Sequence, residues 1–262
     1  MAKEFETLRY SVEDGIAEIR LDRPDALNAM SPKMAEELNS ISLEIDADQS
    51  IRVIIMTGEG KAFCAGGDLG VFKSAGKGAR KLILKMTGDL HLAISRIARN
   101  SAPVIAAVNG TAAGAGFSLV MAADLAIASE KAFFTMAYTN AGLSPDGSST
   151  YFMPRKIGDR RARELMMTNR VLSSQEALSW GVVNQIVSLE DFDKSVREMA
   201  AKIATGSASA FGKVKDLLDS SFDYNLEGQM EREARAIAEQ VVSQDGQEGM
   251  SAFLEKRKPD FS

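Results

Sequence analysis

The sequence has one cysteine, Cys64, and one histidine, His91, among 262 residues. A lone cysteine excludes an internal disulfide, and a lone histidine excludes a histidine-rich metal site, so no metal ligand set is expected. No apolar run reaches the roughly 18 residues that a membrane-spanning helix needs. The opening residues Met1-Ala2-Lys3-Glu4-Phe5-Glu6 lack the apolar stretch of a secretory signal, so a cytoplasmic location is expected. Positive charge is also short. Lys and Arg number 31 against 36 Asp and Glu, and the net charge of −5 argues against a nucleic-acid surface. What is there is ordinary for a folded chain. Hydrophobic residues make up 45% and charged residues 26%, which excludes disordered, collagenous and coiled-coil classes. At this length about 70–75% of the unfolded surface can be buried, enough for one large core with a small appendage.

Strand-like and helix-like stretches alternate in the first half. Ile16-Ala17-Glu18-Ile19-Arg20-Leu21 alternates apolar and polar residues, as a half-buried strand does, and Arg23-Pro24 ends it. Ser31-Pro32 opens a helix, with Ser31 as N-cap and Pro32 at the first helical position. Its apolar stripe is Met34, Leu38, Ile41 and Ile45. Val53-Ile54-Ile55-Met56 reads as a buried strand closing at Gly58, followed by a glycine-rich loop to Gly78. A long helix carries Ile83, Met86, Leu90, Ile94 and Ile97 on one face. Val104-Ile105-Ala106-Ala107-Val108 is another buried strand, a small-residue helix begins near Gly114, and Leu125-Ala126-Ile127-Ala128 returns to sheet character. The second half is mainly helical. Ser173-x-x-Glu176 reads as a capping box with Gly181 as the stop, and helices are expected over residues 189–205, 208–221, 226–243 and 247–256. This order predicts an α/β architecture, with a core over residues 1–200 and a helical C-terminal subdomain over 201–262.

Two segments share one physical design, a buried strand, then glycines, then a helix-like start. One contains Phe63-Cys64-Ala65-Gly66-Gly67-Asp68-Leu69, and the other Asn109-Gly110-Thr111-Ala112-Ala113-Gly114-Ala115-Gly116. Small residues let a ligand approach the main chain, and a helix N-terminus offers free N–H donors at its positive dipole end. Two such donors aimed at one point form an oxyanion hole, where each lowers a barrier by about 2.7–4 kcal/mol. The same small residues also serve close packing, and spacing alone does not separate the two roles.

Asp146, in Ser144-Pro145-Asp146-Gly147-Ser148-Ser149, has two readings. It is a helix cap or turn residue, or it is a general base at a pocket wall. Burial would raise its pKa, whereas the adjacent helix start favours the anion by about 0.3–1 kcal/mol, so a dry site would make the raised value win. His91 sits at the edge of the long helix's apolar face. Cys64 reads as a small buried apolar residue, and the thirteen methionines fill core gaps and need no cofactor.

With these segments in view, the chain resembles the crotonase superfamily, the enoyl-CoA hydratase/isomerase family. The resemblance runs through Leu21-Asp22-Arg23-Pro24-x-Ala26-Leu27-Asn28-Ala29 and Ala62-Phe63-Cys64-Ala65-Gly66-Gly67-Asp68-Leu69. It continues through Pro103-Val104-Ile105-Ala106-Ala107-Val108-Asn109-Gly110 to Gly116, Ala123-Asp124-Leu125-Ala126-Ile127-Ala128, and Glu248-Gly249-Met250-Ser251-Ala252-Phe253-Leu254-Glu255-Lys256-Arg257. It implies a ββα spiral core, a helical C-terminal trimerisation region giving a homotrimer or homohexamer, and an acyl-CoA thioester as substrate, with coenzyme A part of the substrate and no separate cofactor. It places the thioester oxygen on the N–H groups of Gly67 and Ala115, where many members carry glycine at the second position. It places Arg23, Ala26, Ala65, Gly66, Asp68, Leu69, Gly114, Tyr138 and Lys256 against substrate.

Departures from the family pattern narrow the chemistry. Typical hydratases use two glutamates, and the matching positions here hold Ser118 and Tyr138, which leaves the two-glutamate mechanism without its residues. Asp146 stands where some isomerase branches carry their acid/base, so the resemblance favours an enoyl-CoA isomerase. A hydratase with unusual residues ranks next. The trio His91, Tyr138 and Asp146, with the stretch Arg160 to Arg170, also resembles the hydrolytic 4-chlorobenzoyl-CoA dehalogenase branch, although that branch has tryptophan where Tyr138 stands. A non-catalytic acyl-CoA binder on the same fold is the remaining alternative.

Overall fold

The computed structural model describes residues 5–261. β1 (Leu8–Glu13) and β2 (Ile16–Leu21) form an antiparallel hairpin. Asp14 and Gly15 turn it with φ of +50° and +74°, the left-handed pair that a two-residue hairpin turn requires. After a short turn, α1 (Pro32–Ala47) starts where Ser31 Oγ accepts the Met34 N–H at 3.1 Å. β3 (Val53–Gly58), β5 (Val104–Val108), β7 (Leu125–Ser129) and β10 (Gln185–Val187) complete a six-stranded sheet in the order β1-β2-β3-β5-β7-β10, parallel from β2 onward.

β3 and β5 are buried along their whole length, so they read as continuous apolar runs rather than alternating ones. The pleat still divides their side chains. Ile54, Met56, Val104 and Ala106 join Met34, Leu38, Ile41 and Ile45 of α1 in the main core. Val53, Ile55, Ile105 and Ala107 face the other way and are covered by Phe192, Val196 and Ala200 of α8 (Phe192–Ala204). Burying each such aliphatic side chain is worth about 1.5–3 kcal/mol, so α8 belongs energetically to the sheet and carries the core past residue 200 to Ala204.

The stretch expected as one loop from Gly58 to Gly78 is structured instead. It holds β4 (Ala62–Cys64), α2 (Leu69–Ser74) and a 3₁₀ turn leading into α3 (Ala79–Arg99), which packs on α1. β4 pairs in parallel with β6 (Thr111–Ala113), β6 in parallel with β8 (Phe133–Thr135), and β8 antiparallel with β9 (Leu172–Ser173), which makes a second sheet of four very short strands. α4 (Ala115–Ala122) follows β6. α5 (Ser149–Ile157), α6 (Asp159–Thr168) and α7 (Ser174–Trp180) close that side. The capping box of α7 is formed by Ser173 and Glu176, and Gly181 ends the helix at φ +79°. The chain finishes with α9 (Ala208–Ser220), α10 (Leu226–Val242) and α11 (Gln244–Glu255). No helix among the described residues is long and apolar enough to cross a membrane.

Candidate active site

The two glycine-bearing segments meet because β4 and β6 pair. A Cβ on Gly66 would lie 3.6 Å from Gly114 Cα, and one on Gly114 would lie 3.4 Å from Gly66 Cα. Both glycines have left-handed φ, +102° and +48°, so the approach needs a residue without a side chain at each. Gly116 is tighter still, since a Cβ there would fall 2.2 Å from the Cys64 carbonyl oxygen. Gly67 and Ala115, the next residues along each segment, are therefore neighbours across this junction.

The backbone hydrogen bonds of the junction run through other amides. Met30 N–H donates to Gly66 O at 2.7 Å, Asp68 N–H to Met30 O at 3.0 Å, Ala65 N–H to Leu27 O at 3.0 Å, and Gly114 N–H to Thr135 O at 3.0 Å. The N–H groups of Gly67 and Ala115 are not among them. Ala115 opens α4, so its amide is one of the donors a helix N-terminus leaves without an internal partner.

The segment around residues 23–30 lies along the first loop. Asn28 is fully buried and pins it: its Oδ1 accepts the Arg23 N–H at 2.8 Å, and its Nδ2 donates to Glu59 O at 2.9 Å and Ala62 O at 2.7 Å. Ala26 sits in the 3₁₀ turn. The Arg23 guanidinium donates to Ala29 O at 2.6 Å and to Asp68 Oδ2 at 3.0 Å, while Asp68 Oδ1 accepts the Val71 N–H at 3.2 Å and caps α2. Thus Arg23, Ala26, Ala65, Gly66, Gly67 and Asp68 form one wall, and Arg23 and Asp68 brace it. Leu69 follows as the exposed first residue of α2. Lys256 lies at the end of α11, exposed, with φ +57°, and no hydrogen bond or ion pair among the described residues joins it to this wall.

Asp146 comes to the second loop from the far side. α5 begins only at Ser149, and the Asp146 carboxylate caps no helix N–H. Its Oδ1 instead lies 2.6 Å from His91 Nε2 on α3, fifty-five residues away in sequence. The helix-edge placement expected for His91 therefore becomes a direct contact with the acid/base candidate. Both side chains keep access to solvent, 52% for His91 and 30% for Asp146, and both line a cavity of about 740 Å³ between α3, the start of α5 and α9.

Tyr138 and Ser118 stand beside Asp146. Ser118 Oγ lies 2.8 Å from Asp146 O and 3.1 Å from Gly114 O, and Tyr138 OH lies 3.2 Å from Ser118 Oγ. Burial pushes the Tyr138 phenol well above the ordinary tyrosine range, and the Asp146 charge adds to this against the opposing Ser118 hydrogen bond, so it remains a protonated donor. Ser118 had one legible sign: it is the lone polar side chain in the buried run Ala115-Gly116-Phe117-Ser118-Leu119-Val120-Met121. Cys64 is fully buried and its thiol is pushed up to about 11 by burial, so it packs and does not act as a nucleophile.

Comparisons with known proteins bear on the family and the fold. The family model for enoyl-CoA hydratase/isomerase matches residues 11–262. A probable enoyl-CoA hydratase of Rhodobacter capsulatus is 38% identical over 258 residues, covering 98% of each chain. A 1,2-epoxyphenylacetyl-CoA isomerase of Escherichia coli is 35% identical, covering 98% of this chain and 99% of its own. A 4-chlorobenzoyl coenzyme A dehalogenase of Arthrobacter is 34% identical, covering 93% and 88%. A crystal structure of an enoyl-CoA hydratase from Polaromonas superposes with a TM-score of 0.92 at 32% identity, covering 97% of this chain and 98% of that one. With its crotonase-like α/β core and helical C-terminal region, this chain belongs to the enoyl-CoA hydratase/isomerase family.

Proposed function

We propose that this chain is an enoyl-CoA isomerase that moves a double bond along an unsaturated acyl-CoA thioester, with Asp146 as its single acid/base. One observation carries the reading. Asp68 is committed to Arg23 and the Val71 N–H, while Asp146 keeps a solvent-accessible carboxylate with His91 as its partner and is joined to the junction through Ser118. Asp216, Asp219 and Asp223 line the same cavity as Asp146, but Asp146 is the one joined through Ser118 to the Gly114–Ala115 peptide, and one carboxylate placed there suits a proton that leaves one carbon and returns to another.

In this mechanism the thioester oxygen takes hydrogen bonds from the N–H groups of Gly67 and Ala115. The Asp146 carboxylate removes a proton from the α- or γ-carbon. The electron pair left behind spreads through the double bond to the thioester oxygen, where the two amides stabilise the negative charge. Asp146 then returns the proton two carbons away, and the double bond has shifted with no net change in atoms. The Ala115 methyl narrows the seat without removing a donor. Arg23, Ala26, Ala65, Gly66, Asp68, Leu69, Gly114 and Tyr138 border the substrate in this reading, and Lys256 meets the coenzyme A arm.

The test is turnover on a panel of β,γ-unsaturated CoA thioesters, for the native chain and Asp146→Asn. The expected result is double-bond migration that falls by about 10²–10⁴-fold in Asp146→Asn with acyl-CoA affinity retained. Full activity in that variant removes Asp146 from the mechanism. Formation of 3-hydroxyacyl-CoA instead identifies a hydratase, and saturable binding without turnover identifies a binder.

The His91–Asp146 contact favours a second reading, a hydrolytic aryl-CoA dehalogenase in which Asp146 attacks the ring and His91 activates water. Chloride release from 4-chlorobenzoyl-CoA tests it directly. We also place the enzyme in the cytoplasm as a homotrimer or homohexamer. The support for assembly is the apolar surface that the C-terminal helices leave open, with Phe253 83% and Leu254 79% exposed. A stable monomer in sedimentation overturns that part.

A further inference from the structure

The main-chain carbonyl of Asp146 has three hydroxyl groups within hydrogen-bond reach. Ser118 Oγ lies 2.8 Å away, Ser149 Oγ 3.0 Å and Tyr138 OH 3.3 Å. These come from three separate elements, α4, the start of α5 and the segment after β8. Ser118 is fully buried and also reaches Gly114 O at 3.1 Å. That carbonyl belongs to the same peptide unit as the Ala115 N–H. One buried side chain therefore touches both the peptide that supplies an oxyanion donor and the backbone of the acid/base residue.

Counting protons makes the arrangement specific. Each hydroxyl has one proton to give. Ser149 gives its proton to Asp146 O. Tyr138 OH has Asp146 O and Ser118 Oγ within reach, at 3.3 and 3.2 Å. Ser118 has Asp146 O and Gly114 O within reach. With Ser118 donating to Asp146 O at 2.8 Å, the shorter of its two contacts, and Tyr138 donating to Ser118 Oγ or to Asp146 O, the pair ties the Asp146 loop to the first turn of α4. The path of the chain confirms the fit. Gly147 and Ser148 both take left-handed φ, +62° and +66°, and a Cβ on Gly147 would sit 2.9 Å from Ser118 Cβ. The loop turns sharply against Ser118, and glycine is what lets it do so.

We propose that Ser118 and Tyr138 are a pair of positioning residues that clamp the Asp146 backbone to the start of α4, fixing the acid/base carboxylate relative to the Ala115 N–H. The inference rests on the reading of Asp146 as acid/base. Catalysis of a proton shift depends on this separation, because a base displaced by about 1 Å costs about 10²-fold in rate. In the alternative arrangement the Ser118 proton leaves Asp146 O and points to Gly114 O. It joins the Ser118 N–H, which reaches the same oxygen at 3.0 Å, in polarising that peptide, and this strengthens the Ala115 N–H as a donor.

The experiment compares Ser118→Ala, Tyr138→Phe, the double variant and Asp146→Asn by kcat, KM and Tm on a β,γ-unsaturated CoA thioester that the native chain isomerises. Thr57→Val is the control. It removes a buried hydroxyl that donates to Ala107 O at 2.9 Å, with no part in the site. The expected result is a kcat at least about 10-fold lower in each single variant with KM within about 3-fold. The double variant should be no worse than the product of an independent pair would require, because the two side chains act on one carbonyl. Thr57→Val should lower Tm and leave kcat unchanged. Native kcat in both Ser118→Ala and Tyr138→Phe, with Asp146→Asn inactive, overturns the clamp and leaves the isomerase reading standing. A rise in KM alone also overturns it, since that makes both residues substrate walls. Full turnover by Asp146→Asn overturns both. If Ser118→Ala does not fold, Tyr138→Phe decides, because it removes only the phenolic oxygen.

Discussion

Gly116→Ala tests the junction at its narrowest point. The added methyl would lie 2.2 Å from Cys64 O and 2.7 Å from Cys64 Cβ. Ordinary contacts of this kind begin near 3.4 Å, so one backbone must retreat by about 1 Å. Neither can retreat without consequence. Cys64 lies on β4, three residues before Gly67, and Gly116 follows Ala115 at the start of α4. Overpacking of this size costs about 1–3 kcal/mol of stability. At about 2–4 °C per kcal/mol for a chain of this length, Tm falls by about 2–12 °C. On the proposed reading, in which the Gly67 and Ala115 amides hold the thioester oxygen, a displacement of about 1 Å between them costs about 10²-fold in kcat, equivalent to about 2.7 kcal/mol of barrier. Thermal melting and steady-state isomerisation measure the two effects. An unchanged Tm with unchanged kcat would refute the close contact between the two segments.

Gly88→Ala is the opposite case. Gly88 lies inside α3 with no atom within 4 Å of an added Cβ, so the variant should gain about 0.5–1 kcal/mol, read as a higher Tm with native kcat. Lys215 is buried, donating to Ala102 O at 3.1 Å and pairing with Asp124 at 2.7 Å. Lys215→Met should lose about 1–3 kcal/mol in a denaturant titration, less than a fully enclosed pair because the Asp124 side chain is 30% exposed. Glu37 supplies a pH dependence. Burial raises its pKa, but hydrogen bonds from Thr7 Oγ1 and the Glu6 and Thr7 N–H groups, with Lys33 nearby, outweigh this and hold it below its ordinary 4.5. Its stabilisation is present above pH 4.5 and lost as pH falls through the lowered value, so Glu37→Gln should flatten the acid limb of a Tm-versus-pH curve.

Four strands of the large sheet were legible, β2 by its alternation and β3, β5 and β7 as short apolar runs, and the long helices by their period, whereas β1 and the three-residue β10 were not. The Ser31 N-cap, the α7 capping box and the Gly181 stop lie where local chemistry puts them. The second sheet was not legible. β4, β6, β8 and β9 have only two or three residues each, and their existence is decided by partners that lie far along the chain, as Thr111 does for Ala62 and Ser173 for Phe133. The hairpin turn Asp14-Gly15 carries a local signal, since aspartate and glycine both accept the left-handed φ the turn needs. The site divides the same way. The two glycine-bearing segments could be found beside strand ends, and the pairing of β4 with β6 brings them together. The meeting of His91 with Asp146 depends on how α3 and the loop before α5 pack, which no local pattern encodes. The role of Ser118 depends on a carbonyl twenty-eight residues on.

Three of the four strands in the small sheet deliver their following residues to one place, β4 to Gly67, β6 to Ala115 and β8 to Tyr138. Two of these deliver amide hydrogens, which survive most changes of residue type. On the proposed reading, evolution is then free to exchange the side chains at 118, 138 and 146 while the main-chain amides of residues 67 and 115 stay in place. A lineage on this framework can acquire a different reaction through a few local replacements, without rebuilding the scaffold that holds its substrate.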